Sequence, residues 1–207
     1  MQEIITKTQE TIIDGLCEKD WAVVDNFLSP ELIENLNQEL TEEYENGDFR
    51  QAGIGRKGIN WQLRPEIRSD YVKWLDVGSL TSSQQHYFDT IEGLRKSINQ
   101  NLFLSLNFFE AHFAVYPHQS FYKKHLDNHA GSNKRYISCI LYLNKDWKEQ
   151  DNGKLRVYKN ENEDNFTDIL PVFNRFVCMR SDVVWHEVLP TQNERHRKSI
   201  TGWLRYE

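Results

Sequence analysis

The chain has 207 residues, a net charge of −6 and an isoelectric point near 5.7, which is opposite to the basic surface expected of a nucleic-acid-binding protein. Hydrophobic residues make up 39% of the sequence and aromatic residues 13%, which excludes a disordered chain and suffices for one well-packed core. The three cysteines are odd in number and far apart, so we expect reduced core thiols at Cys17, Cys139 and Cys178.

The first residues, from Met1 to Lys7, lack the basic and apolar regions of a secretory signal. No apolar run approaches the roughly 20 residues needed to cross a bilayer. We therefore expect a cytoplasmic protein with no membrane and no nucleic-acid partner. The sequence makes no prediction of the oligomeric state.

Three helices are predicted in the first half of the chain. Apolar residues recur with a period near 3.6 over 3–18, and again after Ser29, which we expect to cap a helix that has Pro30 at its first position. A third helix is predicted over 83–99. Between the first two helices, the short segment 21–27 contains β-branched and aromatic residues and predicts a strand.

Residues 49–77 have no clear period. Glycine-containing turns over 53–58 precede two mixed polar and aromatic stretches, so a hairpin and a mobile loop are both open interpretations. Long irregular segments of this kind often serve as lids or binding loops.

Beyond Leu102 the sequence changes to short aromatic and β-branched segments separated by Gly, Asn, Asp and Pro. Such segments predict an all-β sandwich or barrel. We expect a single domain over 1–207, with mainly helical support over 1–101 and a β core over 102–207. The predicted strands cover 106–116, 122–126, 136–143, 154–158, 175–179, 183–188 and 198–206.

His125 and Asp127 form an HxD pair at the end of the strand predicted over 122–126. Side chains of a strand alternate between its faces, so on a strand these two residues project to the same side and could bind one ion together. Taken alone, the pair is better explained as two polar residues on a solvated strand face.

Two later residues favour a metal site. His186 lies in another strand-like segment, and two histidines with one carboxylate are the ligand set that leaves open positions on Fe(II). Arg197 follows on a strand whose same face carries Ser199, Thr201 and Trp203. A guanidinium there suits a carboxylate ligand. Catalytic zinc also uses three protein ligands, but hydrolytic zinc has no need of a chelating oxo-acid.

Tyr116, Tyr122 and Tyr142 flank the HxD pair. Each could turn its phenol toward the same pocket, and each is individually more often a core aromatic residue.

With these residues identified, the sequence resembles the prolyl-hydroxylase group of Fe(II)/2-oxoglutarate oxygenases, in the branch that includes the oxygen-sensing hydroxylases and their bacterial relatives. The resemblance covers essentially the whole chain and is most specific over 135–147. It implies an α+β fold with a mainly β core, a double-stranded β-helix (jelly roll) with the N-terminal and central helices packed on one sheet. The other matching segments are 24–29, 116–128, 153–158, 186–188 and 197–203.

The resemblance also implies roles for individual residues. His125, Asp127 and His186 would ligate Fe(II) and form the catalytic centre. The far carboxylate of 2-oxoglutarate would bind Arg197 and the Tyr142 hydroxyl. The walls of that pocket would come from Tyr116, Leu155, Thr201 and Trp203.

On the substrate side, the resemblance implies Tyr122 near the entrance. It also implies Arg68 and Asp70 as polar clamps on a mobile finger that closes over a peptide. The sequence departs from the family pattern at His129, where proline is usual, and in a longer spacer after His186. The longer spacer makes Arg195 an alternative to Arg197 for this role. We prefer Arg197, because on a strand it shares a face with Ser199, Thr201 and Trp203.

The implied reaction is hydroxylation of a prolyl residue in a protein or peptide, as in a prolyl 4-hydroxylase, with release of succinate and CO2. Fe(II), 2-oxoglutarate and O2 are the implied cofactor and co-substrates, with ascorbate as an optional addition. The alternatives are the same chemistry on another residue or on a free amino acid, and a jelly roll that binds metal without turnover. A nucleic-acid dealkylase would share the metal ligands, but the acidic balance argues against it.

Overall fold

The computed structural model describes residues 6–55, 61–128, 135–161, 164–192 and 194–207. The predicted turns at 56–58 and the departure at His129 therefore lie outside the described residues, as does the start of the first predicted helix.

Three helices form at the predicted places: α1 (Lys7–Lys19), α2 (Pro30–Glu45) and α3 (Ser82–Leu102). Each begins at a hydroxyl residue, Thr6, Ser29 or Thr81, whose side chain accepts a hydrogen bond from a backbone N–H in the first turn. Such caps satisfy amide groups that have no partner within the helix. None of the helices in the described ranges is long and apolar enough to cross a membrane.

The strands form two antiparallel sheets. The larger sheet has the order β1-β9-β6-β11-β4-β3-β2, and the smaller has the order β5-β10-β7-β8. The strands are β1 (Trp21–Val24), β2 (Arg50–Gln51), β3 (Tyr71–Trp74), β4 (Phe108–Tyr116), β5 (Tyr122–His125), β6 (Arg135–Tyr142), β7 (Leu155–Tyr158), β8 (Phe166–Ile169), β9 (Phe176–Arg180), β10 (His186–Val188) and β11 (Arg197–Arg205).

The two faces of the larger sheet bury different cores. One face packs against all three helices, and the core between them includes Ile12, Leu36 and Leu94 of the helices and Leu204 of β11. The other face turns toward the smaller sheet and buries Tyr116, Tyr142 and Leu155 among aliphatic residues. This two-sheet arrangement with helices on one outer face confirms the predicted jelly roll with helical support.

Two segments differ from or refine the predictions. Over 49–77 the antiparallel pair of β2 and β3 matches the hairpin of the two open interpretations, and it extends the larger sheet. The strand β8 was not predicted, since Phe166, Thr167 and Asp168 are all exposed and leave no alternation of apolar residues.

The three cysteines do not share one environment. Cys139 and Cys178 are buried, free and directly opposite each other on β6 and β9. Cys17 is exposed on α1, so the prediction of a core thiol is wrong there.

We predict that Leu94→Ala lowers the free energy of unfolding by about 2–5 kcal/mol, because it leaves a cavity between α3 and the larger sheet. Urea denaturation followed by circular dichroism measures this change. The control Val77→Ala removes an exposed side chain and should stay within about 0.5 kcal/mol of the parent protein. A loss below about 1 kcal/mol for Leu94→Ala would contradict the packing described above.

Candidate active site

The two histidines of the predicted metal site lie opposite each other on neighbouring strands of the smaller sheet. His125 ends β5 and His186 begins β10, and the antiparallel register pairs them directly. Their ring centroids are 4.3 Å apart. Residues 61 positions apart in the sequence are thus brought together by one strand pairing.

Each imidazole is held by a backbone carbonyl two residues before it. His125 Nδ1 lies 2.7 Å from the Lys123 carbonyl oxygen, and His186 Nδ1 lies 2.9 Å from that of Val184. A carbonyl oxygen only accepts, so both Nδ1 atoms carry the proton and both Nε2 atoms present a lone pair. This is how metal-binding histidines are usually oriented.

Asp127 completes the cluster from just beyond the end of β5. Its two carboxylate oxygens lie 3.5 Å from His125 Nε2 and 3.7 Å from His186 Nε2. One ligand atom from each of the three residues lies within 4.8 Å of the others. The 3.5 and 3.7 Å spacings lie within the roughly 4.2 Å that two metal–ligand bonds of about 2.1 Å can span. The donor set fits Fe(II) and leaves other coordination positions open.

The charge state of the cluster also suits a cation. Burial opposes ionisation of Asp127, but the histidines and the Ser138 hydroxyl outweigh it and hold the pKa of that carboxyl well below its usual range. Burial and the neighbouring His125 lower the pKa of His186 to about 4. Near neutral pH the site therefore combines an ionised carboxylate with an imidazole ready to bind metal.

Ser138 is a contributor that the sequence analysis missed. Its hydroxyl donates to Asp127 Oδ2 over 2.6 Å and lies 2.8 Å from the Ser181 hydroxyl, and both serines are fully buried. The only available signal was strand phase, because Ser138 is two and four residues before Ile140 and Tyr142 on the inner face of β6.

The predicted co-substrate arginine lies on the inner face of the larger sheet, next to the buried cluster that includes Tyr116 and Tyr142. Arg197 is 1% exposed at the start of β11, and within the described ranges no carboxylate lies within salt-bridge distance of it. Its Nε donates to the Gly153 carbonyl oxygen over 2.8 Å. Its guanidinium carbon lies 4.8 Å from the Tyr116 ring centre and 4.9 Å from that of Tyr142.

The Tyr142 hydroxyl is buried and has no hydrogen-bond partner in the part of the chain that the structure describes. Burial raises the pKa of Tyr142, and the Arg197 guanidinium opposes that rise. A buried cation beside an unsatisfied hydroxyl is costly unless an anionic acceptor joins them. The far carboxylate of a dicarboxylate such as 2-oxoglutarate fits this pair.

The remaining residues of the predicted pocket come from both sheets, Leu155 from β7 of the smaller sheet and Thr201 and Trp203 from β11 of the larger one. Leu155 is fully buried in the same apolar cluster as Tyr116 and Tyr142. The Thr201 hydroxyl lies 3.5 Å from that of Ser199. Trp203 is farther along β11, where it stacks on His112 with ring centres 5.4 Å apart.

Arg195 does not share this cavity. Its side chain is 46% exposed and donates to the backbone carbonyls of Lys145 and Asp146. The structure therefore brings Arg197, and not Arg195, to the inner face of β11.

Next to the metal cluster, three planar side chains are stacked on one another. The Tyr122 ring stacks on His125 at 3.6 Å, and the Arg68 guanidinium lies 4.2 Å over the Tyr122 ring. Arg68 then forms two hydrogen bonds of 2.7 and 2.6 Å with the fully buried Asp70. Arg68 also pairs through its backbone with Tyr122, so this part of the predicted finger is attached to β5.

A second stack of rings, centred on His112, was not predicted as a group. His112 lies between Trp74 and Trp203, with ring centres 5.0 and 5.4 Å away, and the Arg135 guanidinium covers Trp203 at 3.5 Å. Burial and the cations Arg68 and Arg135 lower the pKa of His112 to about 3. His112 shares strand phase with Tyr116, which was the signal available in the sequence.

Comparisons with known proteins agree with this geometry. Residues 111–205 match the model of the 2OG-Fe(II) oxygenase superfamily. A Pseudomonas putida prolyl-4-hydroxylase superposes with a TM-score of 0.85 at 35% identity, covering 96% of this chain and 100% of that chain.

Two curated relatives are similar over nearly the whole of this chain. The human Egl nine homolog 1 is 30% identical over 91% of the chain, and the Caenorhabditis elegans hypoxia-inducible factor prolyl hydroxylase is 31% identical over 94% of it. These alignments cover 43% and 28% of the relatives, so the chain spans less than half the length of either.

We predict that Ser138→Ala weakens binding of Fe(II), or of Mn(II) as a redox-stable substitute, by about 10–100-fold, because Asp127 loses the hydroxyl that orients it. Calorimetric titration of the metal measures the change.

The matched control is Ser97→Ala, since Ser97 is also buried but its hydroxyl has no partner among the described residues. Unchanged metal affinity in Ser138→Ala would show that Asp127 needs no support from β6.

Proposed function

This chain belongs to the prolyl-hydroxylase group of the 2OG-Fe(II) oxygenase superfamily, and we propose that it hydroxylates a prolyl residue in a protein or peptide while 2-oxoglutarate is converted to succinate and CO2. The proposal rests on two groups of side chains, a metal-binding cluster and an anion-binding pair. His125, Asp127 and His186 converge within 4.8 Å, and the buried Arg197 and Tyr142 leave an anionic ligand to be supplied.

In this proposal the three clustered side chains hold Fe(II), which, once bound, supplies the redox chemistry with O2 and 2-oxoglutarate that oxidises an unactivated C–H bond. The chain itself positions the reactants. Arg197 and the Tyr142 hydroxyl bind the far carboxylate of 2-oxoglutarate, which fixes the keto-acid end toward the metal cluster. Tyr116 and Leu155 exclude water from the carbon chain between the two ends.

On the substrate side we assign Tyr122, Arg68 and Asp70 to the rim of the cavity. The contact of Arg68 with both Asp70 and Tyr122 keeps a flat, charged surface next to His125. The half-exposed Trp74 with His112 and Trp203 offers ring faces nearby. A proline ring packs well on such faces because it is apolar and rigid.

We also propose a cytoplasmic location. It is supported by the free thiols of Cys139 and Cys178, which lie opposite each other without forming a disulfide. Ascorbate as an additional reductant stays a prediction.

The test combines turnover with product identification. The protein is incubated with Fe(II), 2-oxoglutarate and an array of proline-containing peptides, and succinate release and peptide mass are measured. We expect a mass gain of one oxygen atom on proline. Asp127→Ala should reduce succinate release at least about 100-fold, because the metal loses its anionic ligand, while the exposed Asp76→Ala should not.

Other results would redirect the assignment. Oxygen added to another residue or to a free amino acid would keep the chemistry and change the substrate. Full turnover in Asp127→Ala would overturn the metal site, and absence of succinate under every condition would favour a jelly roll that binds metal without turnover.

We further predict that Gly153→Ala raises the KM for 2-oxoglutarate about 10-fold or more, since a misplaced binding group costs at least about 1.4 kcal/mol. A Cβ on Gly153 would lie 2.9 Å from Thr191 Cγ2 and 3.2 Å from Arg197 Cδ, and φ is +64° there. The substitution would therefore displace the carbonyl that holds Arg197.

Gly47→Ala is the matched control because φ is +78° and a Cβ there meets no atom within 4 Å among the described residues. It should lower stability by about 1 kcal/mol and leave the KM unchanged. Equal KM values for the two variants would mean that Arg197 does not bind the co-substrate.

A further inference from the structure

A second cavity lies behind β11, on the face opposite to the candidate active site. Arg197 and Lys198 are successive residues of this strand, so their side chains point to opposite faces. The cavity has a volume of about 440 Å³, within the usual size range for a small-molecule site. Its walls include Asn37 and Thr41 of α2, Asn144 and Lys145 after β6, and Arg195 and Lys198.

The lining is basic in a protein that is acidic overall. It contains the cations Lys145, Arg195 and Lys198 and a single carboxylate, that of the exposed Glu45. Lys145 is paired with Glu34 at 2.6 Å, and Arg195 lies 3.5 Å from Asp151. These partners balance the outer two cations from outside the cavity.

Lys198 is the cation that the cavity leaves uncompensated. Its side chain is partly buried, and its ammonium donates to the Thr41 hydroxyl over 2.8 Å. Among the described residues no carboxylate lies within 4.0 Å of that ammonium. Burial lowers the pKa of Lys198, and the charges of Arg195 and Lys145 lower it further, whereas Glu45 opposes the change.

The wall of the cavity also contains a hydrogen-bond acceptor that has no partner among the described residues. Asn37 Oδ1 is buried and accepts no hydrogen bond from any described residue. Because this atom is an acceptor, it indicates a water that donates to it, and the second hydrogen of that water is available to an anion. The cavity is thus polar on α2 and positively charged on β11.

Lys198 is tied closely to the strand that carries Arg197. The Asn144 side chain accepts a hydrogen bond from the Lys198 N–H over 2.6 Å and donates to the Lys198 carbonyl oxygen over 3.0 Å. A ligand held by Lys198 would therefore lie beside the backbone position next to the proposed co-substrate arginine.

We propose that this cavity is a second binding site for a small oxyanion, a carboxylate or a phosphate-like group, held chiefly by Lys198. The anion would neutralise the partly buried ammonium, and charge-assisted hydrogen bonds to carboxylate or phosphate oxygens are stronger than neutral ones. The site is separate from the position of 2-oxoglutarate and does not depend on turnover.

Calorimetric titration tests the proposal on the protein loaded with Mn(II) and saturated with 2-oxoglutarate, so that the active site is already filled. Sulfate serves as the probe for phosphate-like ligands and glutarate as the probe for dicarboxylates. We expect at least one probe to bind and Lys198→Gln to weaken its binding at least about 10-fold, as expected for loss of a charge-assisted contact. Which probe binds identifies the ligand class.

Two further variants make the result decisive. Asn37→Asp keeps the side-chain shape and adds a negative charge to the cavity, so it should also weaken binding; it decides the question if Lys198→Gln does not fold. Lys96→Gln removes an exposed lysine of α3 outside the cavity and should bind as the parent protein does. Absence of binding by both probes, or binding that neither cavity variant weakens, would overturn the proposal.

Discussion

The alternation of side chains along β11 is the constraint on which the rest of this structure depends. The strand lies in the middle of the larger sheet, bonded to β4 on one side and β6 on the other. Its even-numbered residues Ile200 and Leu204 pack against the helices, while Arg197 and Ser199 face the interior between the sheets. This one strand therefore packs against the helices with one face and positions Arg197 with the other.

Burial of Arg197 has an energetic consequence for the whole cavity. A guanidinium without a carboxylate partner loses hydration that a single bond to the Gly153 carbonyl does not replace. The neighbouring Tyr142 hydroxyl is likewise unsatisfied among the described residues. In the proposed function, the far carboxylate of 2-oxoglutarate would recover both costs.

The two histidines of the candidate metal site belong to the smaller sheet, whereas Arg197 belongs to the larger one. His125 and His186 are fixed by the pairing of β5 with β10 and by carbonyls of their own strands. Only Asp127 is held from the larger sheet, through Ser138 on β6. The two histidines and Arg197 therefore lie on different sheets, and in the proposed function 2-oxoglutarate reaches from one to the other.

The sequence by itself determined the features that repeat with a period or end at a cap. The three helices follow from apolar residues at helical spacing and from hydroxyl caps such as Ser29, and the inner face of β11 follows from strand alternation. Strand phase also placed Arg197 with Ser199 and Thr201. Metal-ligand chemistry singled out His125, Asp127 and His186, because few residue types bind a transition metal.

The tertiary structure decided what depends on contacts between distant segments. Asp127 lies beyond the end of β5, so its position comes from Ser138 and not from the strand period that suggested it. Strand β3 joins the larger sheet by pairing with β4, and β2 joins it by pairing with β3; no local sequence pattern predicts these pairings. The environment of Lys198, and the difference between the buried Arg197 and the exposed Arg195, likewise depend on which surfaces other elements cover, and burial is a property of the packed chain.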